Sequence, residues 1–164
     1  EAHLLFDVPF DRIDVTVHPQ SIVHSMVEFI DGSVIAQCSP PNMKLPIALG
    51  MAWPERVPNA ISALDFSASS NWLFEPLDES VFPAVRLARE VGQLGLTYPA
   101  VYNAANEEAV EAFHAGKINF NAIVELVTKV VEVHEPESEL SLESVLAAER
   151  WARDRAIAQI ATAC

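Results

Sequence analysis

Residues 24–38 read His24-Ser25-Met26-Val27-Glu28-Phe29-Ile30-Asp31-Gly32-Ser33-Val34-Ile35-Ala36-Gln37-Cys38. Two apolar runs, His24–Ile30 and Ser33–Cys38, flank Asp31-Gly32. That dipeptide favours a two-residue type I′ turn, whose central positions both need positive φ. The stretch predicts a β-hairpin with Asp31-Gly32 at its tip. Ser39-Pro40-Pro41 ends the second strand, because proline cannot donate to a ladder. Leu45–Met51 then predicts a short apolar helix, with Pro46 tolerated in its first turn. Upstream, Ile13–His18 alternates and is β-branched, which predicts a strand stopped by Pro19.

The remainder divides in texture. Pro54, Pro58 and Pro76, with Ser67, Ser69 and Ser70, predict an extended linker over 53–78. Beyond it, four helical patterns follow, at about 83–94, 98–115, 120–133 and 141–162. Thr97 and Ser141 are expected to cap the second and fourth, and Gly95 and Gly116 to follow the first and second. Ile123, Val127 and Val130 share one face of the third; Leu142, Val145, Ala148, Ala152, Ala156 and Ile160 share one face of the fourth. The expected fold class is α+β. A sheet-containing segment over 1–52 leads through the linker to a compact four-helix bundle over 79–164.

Charge restricts the partners. With 10 basic and 23 acidic residues the net charge is −13, which repels phosphate backbones and argues against nucleic-acid binding. The acids concentrated over Glu132–Glu143 read as a solvated loop and helix start. No apolar run approaches a membrane span and no export leader opens the chain. Two cysteines, Cys38 and Cys164, make neither a disulfide framework nor a zinc spacing, and a reducing compartment is expected. Because the chain opens on Glu1, it is expected to begin inside a longer or processed product.

The residues do not spell out an active site. No glycine-rich phosphate loop, HExxH, CxxC or nucleophile elbow is present. His18 and His24, six positions apart across Pro19, could converge on a site or anchor a turn. Lacking a third ligand nearby, they favour the anchoring role. His3, His114 and His134 carry no supporting pattern and read as surface residues. Pro40-Pro41-Asn42-Met43-Lys44 is a stiff loop; Met43 could press on a flat ligand ring, or the loop could simply cap the next helix through Asn42. Asn103 and Asn106, poor helix formers within a helix, read as hydrogen bonds between elements.

Several stretches together resemble the deoxyxylulose-phosphate reductoisomerase family. They are Glu1–Phe6, His18–Val27, Asp31–Gln37, Pro41–Ala48, Trp53-Pro54, Leu64–Phe66 and Asn103–Glu107, in the family's order. Trp151-Ala152-Arg153 resembles actinobacterial members. The resemblance implies a cytoplasmic homodimeric enzyme of isoprenoid biosynthesis that uses NADPH and Mg²⁺ or Mn²⁺ on a sugar phosphate. Residues 1–52 would be the C-terminal part of its catalytic and dimerisation domain. The metal-binding acids, phosphate-binding residues and nucleotide fingerprint would lie before Glu1, so no catalytic or metal residue is assigned here. Pro41 and Met43 match a loop near the nicotinamide, and His24 matches a histidine that shapes the site. Neither cofactor nor metal is expected on these residues alone. A free-standing dimerisation or scaffold module is the alternative.

Overall fold

The computed structural model describes residues 2–163, and the chain divides into two compact units, 1–77 and 78–164. It is a mixed α/β protein with small sheets. In the first unit α1 (Ala2–Phe6) and a 3-10 turn (Phe10–Arg12) precede β1 (Thr16–Val17). The hairpin strands β2 (Val23–Glu28) and β3 (Val34–Cys38) follow, then α2 (Lys44–Ala52) and β4 (Glu75–Pro76). The second unit holds α3 (Ala84–Leu94), α4 (Tyr98–His114), α5 (Phe120–Glu132) and α6 (Leu142–Ala163).

The hairpin forms where the sequence placed it, with a different turn. Gly32 has φ 82, whereas Asp31 is not among the positive-φ residues, so the expected type I′ turn is absent. Phe29 N–H donates to Ser33 O (2.8 Å) and Gly32 N–H to Phe29 O (2.9 Å), closing a three-residue loop over Ile30–Gly32. Gly32 takes the left-handed position that ends such a loop. Asp31 instead accepts from Ser33 N–H (2.9 Å) and Ser33 Oγ (2.6 Å), and these bonds hold its carboxyl below the usual carboxylate range.

The strand expected over Ile13–His18 contracts to β1, which pairs antiparallel with β4. Of residues 53–78, expected as a linker, 53–77 thus belong to the first unit and supply a strand to it. Side chains reinforce this short pairing. Thr16 Oγ1 donates to Glu75 O (2.9 Å), and Leu73 N–H donates to Gln20 Oε1 (3.1 Å).

The hydrophobic core lies in the second unit. Its buried apolar residues run from Leu87 and Val91 on α3 through Val101, Ala104, Ala105, Ala109 and Ala112 on α4. Ile123, Leu126, Val127, Val130 and Val131 on α5 and Ala148, Ala152, Ala156 and Ile160 on α6 complete it. The i, i+4 spacing of Leu87 and Val91, like that of Ala148, Ala152 and Ala156, presents one stripe of each helix inward. Leu142, expected on the α6 stripe, is 69% exposed, because it lies at the first position of the helix. α4 packs against α3, α5 and α6. Its alanines occupy little volume, so neighbouring helices meet it closely.

Helix ends are set locally. Ser141 and Ser144 exchange bonds, Ser144 N–H to Ser141 Oγ (3.1 Å) and Ser141 N–H to Ser144 Oγ (2.9 Å), a reciprocal cap for α6. Asn119 Oδ1 accepts Ala122 N–H (3.0 Å) at the start of α5. Gly116, at φ 69, ends α4, with Lys117 N–H reaching Ala112 O (2.9 Å). Thr97 makes no capping bond. The asparagine expectation also changes: Asn103 Nδ2 bonds Glu107 Oε1 on its own helix (3.1 Å). The polar tie between α4 and α6 is Arg153, which donates to Glu107 Oε2 (2.5 Å) and Glu108 Oε1 (3.0 Å).

Ala105 is fully buried, so Ala105→Leu forces extra methylenes into a filled interior. The expected loss is about 1–3 kcal/mol of stability, read as a lower urea midpoint for the helical unit. An unchanged midpoint would contradict the close packing of α4.

Candidate functional site

The candidate site centres on the hairpin end opposite its turn. Val23 pairs with Cys38 and Ser25 with Gln37, so β2 spends two steps where β3 spends one. His24 is therefore the extra residue of a β-bulge. A bulge bends the strand and re-aims the side chain at that position. His24 Nε2 lies 3.1 Å from Ser39 O. Ser39 is itself held: its N–H donates to Ile22 O (2.9 Å) and its Oγ accepts from Gln37 Nε2 (3.3 Å).

Ser39 opens the loop that carries Pro41 and Met43. Pro41 is exposed and Met43 is 71% exposed. Asn42 Oδ1 accepts Lys44 N–H (2.9 Å), which steadies the entry to α2 and leaves Met43 projecting at the helix start. The structure thus places His24 beside the root of the Pro41–Met43 loop through Ser39. A cleft of about 520 Å³ borders the same root, lined among others by Ser39, Pro40, Leu45, Asn59 and Phe66.

His18 and His24 do not share a partner. His18 Nδ1 is 2.7 Å from Leu73 O, and its ring stacks on Phe74 at 4.5 Å. It closes the turn in which Ser21 N–H donates to His18 O (3.0 Å). Among the described residues no group of three or more His, Cys, Asp or Glu could hold a metal ion. The residues present do not fit a metal centre, and no chemical step through a metal follows from them.

Sequence reasoning missed His134, read as a surface residue but only 8% exposed. It follows α5 and lies 2.8 Å, through Nε2, from Thr97 Oγ1. Tyr98 contacts its ring edge-on at 5.0 Å and Trp151 lies 5.2 Å away. Thr97 does not cap α4: its backbone is αR rather than the extended form of a capping residue, and its hydroxyl is turned to His134. The signal was weak because all three partners are remote in sequence.

The comparisons bear on the whole chain. The model of the DXP reductoisomerase C-terminal domain matches residues 38–155. The chain belongs to this family. It is 63% identical over 162 residues to 1-deoxy-D-xylulose 5-phosphate reductoisomerase of Paenarthrobacter aurescens, covering 99% of this chain and 41% of the relative. It is 54% identical over 169 residues to the enzyme of that name from Mycobacterium avium, covering 99% and 42%. The chain thus spans about two-fifths of the length of these reductoisomerases. Among solved structures, the reductoisomerase from Zymomonas mobilis in complex with NADPH superposes with a TM-score of 0.87 at 43% identity, over 97% of this chain and 42% of that one. A DOX-P reductoisomerase in complex with NADPH, fosmidomycin and magnesium superposes with a TM-score of 0.83 at 36% identity, over 98% and 41%. The resemblance read from the motifs is therefore shown at the level of the family.

His134 gives this chain a pH signature. Burial holds its pKa below the ordinary histidine value of 6.5. Below about pH 6.5 the unfolded chain therefore binds a proton that the folded chain resists. Stability is full above that pH and falls as the pH drops through it. Urea midpoints from pH 8 to pH 5 should fall less steeply for His134→Asn than for the parent. Parallel curves would contradict a buried neutral imidazole.

Proposed function

We propose that this chain is the C-terminal part of a cytoplasmic, homodimeric reductoisomerase that converts 1-deoxy-D-xylulose 5-phosphate to 2-C-methyl-D-erythritol 4-phosphate for isoprenoid synthesis. The observation that carries the reading is 63% identity over 99% of the chain to an enzyme of that name. Among the described residues no helix is long and apolar enough to cross a membrane. NADPH would supply the hydride, and Mg²⁺ or Mn²⁺ would polarise the substrate carbonyl, both held by residues outside this chain.

Within that enzyme, residues 1–52 complete the catalytic domain and residues 79–164 form a four-helix bundle. Residues 53–77 fold with the first unit. His24 shapes the wall of the substrate site, and Pro41 and Met43 approach the nicotinamide. Proline fixes the loop backbone and methionine offers a polarisable apolar face, which suits contact with a flat ring. The hairpin lends exposed apolar surface to the dimer. Val27, Phe29 and Ile35 on one face and Met26 and Val34 on the other are between 46% and 65% exposed, an apolar surface that invites association.

Two measurements test this reading. The complete protein, given NADPH, Mg²⁺ and 1-deoxy-D-xylulose 5-phosphate, should oxidise NADPH, whereas the 164-residue chain alone should neither turn over nor bind NADPH in calorimetry. Turnover or micromolar NADPH affinity in the short chain would overturn it. In solution scattering the short chain should self-associate through its apolar first unit; a monodisperse monomer at moderate concentration would count against the interface.

A further inference from the structure

We infer that Ser39 is a positioning residue whose main-chain carbonyl locks the bulged His24 in one tautomer and leaves His24 Nδ1 as a hydrogen-bond acceptor for the substrate. The inference rests on the reading of His24 as part of the substrate site, and it deepens that reading. A carbonyl oxygen can only accept, so the 3.1 Å contact between His24 Nε2 and Ser39 O requires the hydrogen on Nε2. In the neutral imidazole the other nitrogen then carries the lone pair. His24 is exposed, so that lone pair can receive an O–H or N–H donor from a ligand. A polyhydroxylated sugar phosphate presents such donors.

The geometry is specific to His24. His18, at the other end of the same motif, contacts a carbonyl through Nδ1 instead, at 2.7 Å from Leu73 O, and so holds the opposite tautomer. Its Nε2 is buried without a hydrogen-bond partner, out of reach of a ligand. Of the two histidines, only the bulged one is exposed. Ser39 is fitted to hold it: it is 7% exposed, the one buried residue among the described residues of the first unit. Its amide and hydroxyl bonds to Ile22 and Gln37 fix where its carbonyl points.

The test uses the complete protein carrying these residues, labelled with ¹⁵N-histidine and observed at pH 8 by long-range ¹H–¹⁵N correlation. His24 should show a protonated Nε2 and a lone-pair Nδ1, and His18 the reverse pattern. An Nδ1–H tautomer at His24, or rapid exchange between both, would overturn the proposal. Ser39→Ala, which removes the hydroxyl that Gln37 Nε2 holds and so loosens the residue that carries the carbonyl, should raise KM for the sugar phosphate about two- to tenfold, the equivalent of one neutral hydrogen bond, with kcat retained. An unchanged KM would count against Ser39. The two readings fail separately. A protein with the expected tautomers and no reductoisomerase activity would sink the function and keep the positioning. An active protein with reversed tautomers would do the opposite.

Discussion

Burial of apolar surface is divided unequally along this chain, and most of its architecture follows from that. Every buried apolar residue among those described lies between Leu87 and Ile160. Helices α3–α6 thus share one interior, closed around the alanines of α4 and α6. Apolar burial is the dominant favourable contribution to folding. The second unit has that contribution in full, and the first has little of it.

The first unit is held by other means. An isolated two-stranded hairpin is marginal in water, and Met26, Val27, Phe29, Val34 and Ile35 all remain exposed on this one. Side chains bonded to main chain take over much of the work. Thr16, His18 and Gln20 secure the segment at Leu73–Glu75, and His24 secures Ser39. Each such bond adds only about 0.5–1.5 kcal/mol, so these contacts define shape more than they supply stability. A segment whose geometry is specified but whose apolar faces are open fits a partial domain completed by further protein.

How much of this could be read from the residues depended on range. The hairpin, α2 and the four later helices rest on periodicity and punctuation within a few positions, and the structure has them within a residue or two. Asp31-Gly32 marked the turn, yet the loop took a third residue because Asp31 uses its carboxylate on Ser33. The pairing of β1 with β4 spans 59 positions from Thr16 to Glu75 and left no local trace. The bulge at His24 was equally silent, since a register shift depends on which residues lie opposite, not on the strand's own pattern. His134 shows the same limit: a lone histidine after a helix looks solvated until Thr97 and Trp151 are brought to it. The tie expected of Asn103 belongs to Arg153: the amide of Asn103 is taken up by Glu107 on its own helix, while the arginine reaches two carboxylates on α4.

Native-state hydrogen exchange on the 164-residue chain tests the unequal division most directly. Amides of α4, α5 and α6 should exchange only by global opening of the helical unit. Amides of β2 and β3 should exchange orders of magnitude faster, through local opening at low free energy. Equal protection in hairpin and helices would show that the first unit is stable without further protein, and would contradict the account.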